Sequence, residues 1–152
     1  MTAIERDNPY GAFKFNVEFG PVSDGSSPIL GGFSDVSGLG TEINYSEYRE
    51  GMDLTNTVRK VPNTFKLDEV TLKRGLIGST QIFDWFKAVR EGHYLPRAVS
   101  IILLDEKGDP VLEILLTRAQ PKKWVGPTLA AKGGGEVAME ELHIAHEGVT
   151  FE

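Results

Sequence analysis

The chain has 152 residues, with 16 Lys and Arg against 22 Asp and Glu for a formal net charge of −6, 40% hydrophobic and 25% charged residues, and no cysteine. Such a composition excludes wholesale disorder, and the length favours a single domain over residues 1–152. The lack of cysteine rules out a disulfide framework, a thiolate zinc site and a cysteine nucleophile together.

No apolar run approaches the about 18 residues that span a bilayer, so no membrane anchor is expected. Met1 to Asn8 is polar and acidic and lacks the basic and apolar regions of a signal peptide, which implies synthesis in the cytoplasm. The acidic balance argues against nucleic acid as a specific partner. Charge is unevenly spread, at −5 over residues 1–50, +3 over 51–100 and −4 over 101–152. Either the fold interleaves these charges, or the molecule has faces of opposite sign that attract further copies head to tail.

Ala12 to Phe19 alternates, with Phe13, Phe15, Val17 and Phe19 on one face, and reads as a half-buried strand. Gly20 to Gly32 reads as a loop. Phe33 to Ser37 is a short strand broken by Gly38-Leu39-Gly40, and Glu42 to Tyr48 is another, with Ile43 and Tyr45 on one face. Arg49 to Asn63 has neither period and reads as a long loop, a feature that in a compact domain is usually functional or disordered. Strand character resumes from Thr64 to Lys73. Phe65 and Leu67 are out of phase with Val70 and Leu72, which predicts a bulge near Asp68 and Glu69.

The spacing of Ile82, Phe83, Phe86 and Val89 predicts the one helix, capped by Ser79 or Thr80 and ended by Gly92. Its polar face carries Asp84, Lys87 and Glu91, and Trp85 is expected to pack at the helix surface. Ala98 to Leu104 and Val111 to Arg118 flank a polar turn around Gly108 and read as a β-hairpin. Its arms carry apolar residues on both faces, among them Ile101, Leu103, Leu112 and Ile114, so either the helix or another subunit covers the second face. Gln120 to Gly135 reads as irregular, and Glu136 to Glu147 as a strand. Seven or eight strands and one helix make a mainly β fold, a barrel or a two-sheet sandwich with an appended helix.

No catalytic constellation emerges. His143 and His146 lie near several glutamates, but on a strand residues three apart point to opposite faces and cannot share an ion, so no metal site is expected. Gly133-Gly134-Gly135 and Gly38-Leu39-Gly40 fit neither a phosphate loop nor a dinucleotide fingerprint. No serine sits in a nucleophile elbow, and no cofactor is expected. What survives are binding signals: the long loop with Arg49, Glu50, Asp53, Arg59 and Lys60, the two-faced hairpin, the charge blocks and open sheet edges. Open edges invite aggregation unless covered, and a closed ring of copies covers them.

Several stretches, in order along nearly the whole chain, resemble the inner tail-tube proteins of contractile phage tails and extracellular contractile injection systems. They are Asn8-Pro9-Tyr10-Gly11-Ala12-Phe13-Lys14-Phe15, Gly31-Gly32-Phe33-Ser34-Asp35-Val36-Ser37-Gly38-Leu39, Tyr48-Arg49-Glu50-Gly51, Leu72-Lys73-Arg74-Gly75, Phe83-Asp84-Trp85-Phe86, Lys132-Gly133-Gly134-Gly135-Glu136-Val137-Ala138 and Ala145-His146-Glu147-Gly148. The resemblance implies a β-barrel or two-sheet tube-protein fold with one helix and an extended loop. It implies hexameric rings that stack into a hollow tube, which sheath contraction propels through a target envelope and whose lumen conveys protein cargo or, in phage, the genome.

The implied partners are further copies, a sheath protein, baseplate or tube-initiator and tube-terminator proteins. The implied location is a phage tail-like particle, extracellular after release. On this reading Arg49, Glu50, Asp53, Arg59 and Lys60 belong to a loop that reaches neighbouring subunits and the next ring, where Glu5, Asp7, Glu147 or Glu152 would meet Arg59 and Lys60. Ile101, Leu103, Gly108, Leu112 and Ile114 would belong to an inter-subunit sheet walling the lumen. Asp84, Lys87 and Glu91 would face the sheath. The alternatives are the baseplate tube-initiating paralogue and, in another class, a monomeric β-barrel binding domain.

Overall fold

The computed structural model describes residues 2–20, 29–49, 51, 58–133 and 137–152, with residues 29–31 as backbone only. Among them are ten strands and one helix, with about half of the residues in strands. In chain order these are β1 (Phe15–Phe19), β2 (Ile29–Gly31), β3 (Asp35–Ser37), β4 (Thr41–Tyr48), β5 (Arg59–Leu67), β6 (Val70–Gly75), α1 (Gln81–Arg90), β7 (Arg97–Leu104), β8 (Pro110–Val125), β9 (Met139–Ala145) and β10 (Gly148–Phe151). All pairings are antiparallel. The main path runs β2-β1-β7-β8-β9-β6-β3, with β10 also on β8, while β4 and β5 pair only with each other.

One strand organises the body. The first part of β8 pairs with β7 and β10, from Leu104↔Pro110 to Arg97↔Ala119 and from Phe151↔Ile114 to Gly148↔Thr117. Its second part pairs with β9, from Gln120↔Ala145 to Val125↔Glu141. Between them Arg118 has φ 50, and a register shift follows between Pro121 and Lys123. A strand that switches partners at such a corner gives two sheets folded over one core. No closed barrel forms among the described residues, so of the two expected architectures the two-sheet one is found.

The core lies between the sheets. Rows of paired residues point inward: Phe19, Val99 and Leu116 in one, Val17, Ile101 and Ile114 in the next, with Val70, Leu72, Leu142 and Ile144 from the second sheet. From α1, Ile82 and Trp85 complete it; Trp85 meets Phe19 edge-on at 5.6 Å and donates its indole N–H to the Leu95 carbonyl at 2.8 Å. The helix ends as Gly92 turns with φ 100, a conformation glycine adopts without Cβ strain.

Several sequence expectations need correction. β8 continues through Gln120 to Val125 where irregular chain was expected, and Ile29–Gly31 is a strand inside an expected loop. Phe13 is exposed and β1 starts only at Phe15. Trp85 is buried rather than superficial, so the inward stripe is Ile82, Trp85 and Val89. The phase change at Asp68 and Glu69 is not a bulge: β5 ends before them in one ribbon and β6 starts after them in another sheet. Finally, Arg59 to Asn63 belong to β5 rather than to the expected long loop; Glu50 and Asp53, also assigned to that loop, lie outside the described residues.

Candidate subunit interface

β4 and β5 form an arm. At about 3.4 Å per residue, a pair of eight or nine residues is roughly 25–30 Å long. Every residue of β4 is exposed, and so is every residue of β5 before Leu67. Cross-strand pairing places Ile43 with Phe65 and Tyr45 with Pro62 on one face, and Glu47 with Lys60 further out, where Lys60 Nζ meets Glu47 Oε1 at 3.2 Å. The apolar face is uncovered: Ile43 is 50%, Tyr45 55% and Phe65 62% exposed. An isolated two-stranded ribbon is at best marginally stable in water, so an apolar ribbon face with no core beneath it calls for another surface.

The arm springs from a tight root. Gly38 has φ 84, and a Cβ there would collide with the Glu69 carbonyl, so a side chain cannot be accommodated without moving the backbone. The Asp68 amide donates to the Gly40 carbonyl at 3.0 Å. Two histidines close around this corner. His143 Nδ1 lies 2.9 Å from Glu69 Oε1 and its Nε2 2.8 Å from Glu141 Oε1, while His146 lies 3.1 Å from both the Asp68 and the Gly148 carbonyls. Lys122 Nζ, 2.7 Å from Glu69, and secondarily His143 hold the Glu69 carboxyl below its ordinary range. The two imidazoles do not share an ion site, and no metal-binding group was found among the described residues.

The β7–β8 hairpin sits inside the sheet rather than at its edge, flanked by β1 and by β9 and β10. Ile101, Leu103, Leu112 and Ile114 share the core-side face with Phe15 and Val17; Ile101 is buried and Ile114 packs on the core. The opposite face carries Asn16, Glu18, Ser100, Glu113 and Thr150 around the half-buried Ile102 and Leu115. Gly108 occupies the turn with φ 94. Asp84 and Lys87 on α1 and Glu91 just past its end are all exposed, and Asp84 accepts a hydrogen bond from the Thr80 hydroxyl at 3.0 Å. Of the acidic residues considered for the arm's cations, Glu147 is 3.0 Å from Arg118 within the same chain.

The N-terminal segment is tied to the hairpin turn. Arg6 makes a bidentate pair with Glu106, both contacts at 2.8 Å, its guanidinium stacks 3.9 Å from the Tyr10 ring centre, and Lys14 Nζ donates to the Glu106 carbonyl at 2.8 Å. The Arg6 hydrogen bond foremost lowers the Glu106 carboxyl from 4.5 to about 2. A depressed carboxyl favours the tied state above its free value and loses that advantage as pH falls through the folded one. The segment around Arg6 is therefore expected to detach progressively as pH falls from 4.5 towards about 2, measured as falling protection, relative to the intrinsic exchange rate, of the Ile4 amide, whose N–H donates to the Val111 carbonyl at 2.9 Å.

One buried polar group escaped the sequence reading. Arg74 and Glu140, 2% and 4% exposed, are register partners on β6 and β9 and form an ion pair. Glu140 Oε2 also accepts from Trp124 Nε1 at 3.2 Å, and Arg74 Nη2 reaches the Ser79 carbonyl at 3.4 Å. The signal was present: Arg74 is in phase with Val70 and Leu72, and Glu140 with Leu142 and Ile144.

The described residues thus form an antiparallel β body that carries a long arm with an exposed apolar face. The chain belongs to the T4-like virus tail tube protein gp19 family, whose model matches residues 11–150. It is a tail-tube subunit of a contractile injection system or phage tail, a structural component rather than an enzyme. Among curated proteins no match is found.

Its fold is similar to a chain in the cryo-EM structure of the sixfold-symmetrised anti-feeding prophage baseplate, at 24% identity and TM-score 0.85 with 97% of each chain covered. It is also similar to a chain of the extended sheath–tube complex of the PVC extracellular contractile injection system, at 23% identity and TM-score 0.80 with 95% of this chain and 91% of that one covered. Hcp1 from Flavobacterium johnsoniae is more distant, at 12% identity and TM-score 0.54 with 90% and 93% covered.

Proposed function

We propose that residues 1–152 act as one tail-tube domain whose copies close into hexameric rings and stack into a hollow tube inside a contractile sheath. Sheath contraction drives that tube outward, and its lumen conveys protein cargo. The observation that carries this reading is the uncovered arm. Ile43, Tyr45 and Phe65 gain a solvent-excluded surface only by lying on another copy, and the arm's reach suits a neighbour in the same ring or the next. The sixfold-symmetrised baseplate relative supports the ring number.

With the core side of β1, β7 and β8 occupied, the lumen side is the opposite face, with Asn16, Glu18, Ser100, Glu113 and Thr150. The cores of Ile101, Leu103, Leu112 and Ile114 then stiffen that wall from behind. Asp84, Lys87 and Glu91 face outward to the sheath, where individually weak exposed charge pairs suit a contact that must release. At the arm's far end Arg49, Arg59 and Lys60 contact the adjacent ring, a contact to which Glu50 and Asp53, outside the described residues, are also assigned. A charge-reversing R59E/K60E variant is expected to leave single rings intact but shorten tubes severalfold in negative-stain images, most clearly at low salt. Tubes of unchanged length would remove these two cations from the stacking contact.

The baseplate tube-initiator is the second reading, favoured by the fold similarity to a baseplate chain. An initiator would form single rings that stop, whereas a main tube subunit adds further rings.

A further inference from the structure

The two histidines at the arm's root share a chemical peculiarity. Each presents both ring nitrogens to oxygen acceptors. For His146 these are two backbone carbonyls, Asp68 and Gly148, which can only accept. For His143 they are the carboxylates of Glu69 and Glu141, which also only accept when ionised; the Thr71 hydroxyl, 3.2 Å from Nδ1, is a further neighbour of that nitrogen. A neutral imidazole has one N–H and one lone pair, so it can donate to only one of the two facing acceptors at either site, and the Thr71 hydroxyl is the neighbour that can donate to a bare Nδ1 of His143. The imidazolium satisfies both.

We infer that His143 and His146 form a proton-operated latch that fixes the Asp68–Glu69 corner, and with it the root of the β4–β5 arm, when both rings are doubly protonated. The two act on one corner by different routes. His143 holds the Glu69 side chain, while His146 holds the Asp68 carbonyl and ties it to the start of β10. Asp68 is also the residue whose amide pairs with Gly40 at the opposite foot of the arm. Loss of one proton from His146 turns a ring lone pair toward a carbonyl lone pair, and loss of one from His143 turns it toward a carboxylate. For His146 that replaces a hydrogen bond by a repulsion; for His143 a bare Nδ1 accepts from the Thr71 hydroxyl instead, and what is lost is its bond to Glu69.

The charged surroundings are consistent with this use. Glu69 and Glu141 face His143; Lys122 binds the other oxygen of Glu69, and Lys123 is the register partner of His143 on β8. Beside His146, Glu147 is neutralised by Arg118. The consequence for assembly, that mild acid sets the arm in its docking pose and mild alkali loosens it, rests on the arm being a subunit contact. The latch itself does not.

The test is amide exchange on the full-length subunit at concentrations too low for ring formation, expressed as protection relative to intrinsic rates. Between about pH 5.5 and about pH 8, protection of the Asp68 amide and of the β4–β5 amides is expected to fall by about three- to tenfold per hydrogen bond lost, while α1 amides hold constant. H143Q and H146Q should each remove part of that pH dependence and H143Q/H146Q all of it. Constant protection across the range in the wild-type chain, or an undiminished pH dependence in the double variant, overturns the latch. Tube growth at the two pH values is read separately: a pH-dependent root with pH-independent growth keeps the latch and removes the arm from the subunit contact.

Discussion

Replacing Ile43 and Phe65 together by serine is expected to raise the subunit concentration needed for tube growth by roughly fifteen- to three-hundred-fold. Complete burial of such a side chain contributes roughly 1.5–3 kcal/mol, and with Ile43 50% and Phe65 62% exposed, docking adds roughly half to two-thirds of that apiece. Two together give roughly 1.7–3.4 kcal/mol, at about 1.4 kcal/mol per factor of ten. The folded subunit should barely notice, because exposed substitutions away from special features usually stay within about 0.5 kcal/mol. The measurement pairs thermal unfolding with sedimentation of tubes: an unchanged midpoint with lost sedimentation is the expected combination. A variant that assembles at the wild-type concentration would show that the arm's apolar face is not a contact.

The second large effect concerns stability. Arg74→Ala or Glu140→Ala strands a buried charge and is expected to cost about 3–5 kcal/mol. For a chain of this length that lowers the unfolding midpoint by about 10 °C or more. The loss should exceed that of a surface pair such as Lys60 with Glu47, which is exposed on both sides and contributes at most about 1 kcal/mol. Removing both partners is the informative control. R74M/E140L fills the space without charge and should recover much of the loss, although Trp124 Nε1 and the Ser79 carbonyl then lose their partners. If R74M/E140L proves as unstable as either single alanine variant, the pair is a stabilising element in its own right rather than a charge that must not be left alone.

Where a segment packs on the body's own core, its period was readable. Phe15, Val17 and Phe19 alternate because one face of β1 meets the core, and Ile82, Phe83, Phe86 and Val89 mark a helix because that helix has an inside. Arg59 to Asn63 gave no such signal for a physical reason. β4 is equally exposed and still alternates at Ile43 and Tyr45, but in β5 Pro62 and the register shift opposite Ile43 and Tyr45 interrupt the period before Phe65. β8 was cut short in the reading by Pro121, which lies at the shift where the strand changes sheets.

The interface residues divide along the same line. Ile101, Leu103, Leu112 and Ile114 stood out in the sequence because they are apolar, and the structure puts them on the core side. Ile43, Tyr45 and Phe65, which have the strongest case for meeting another copy, are equally apolar but lie in a segment whose register only the paired strands reveal. Family resemblance, not periodicity, pointed to tube assembly. It covered the chain because residues 11–150 carry the family pattern throughout.

The most direct measurement is a cryo-EM reconstruction of tubes grown from the purified subunit, at a resolution that shows side chains on the arm. The expected map has Ile43, Tyr45 and Phe65 seated against a second copy, so that their present exposure of 50–62% is largely lost. A map of intact tubes in which that face still points into solvent, with rings held by other surfaces alone, would contradict the arm's role.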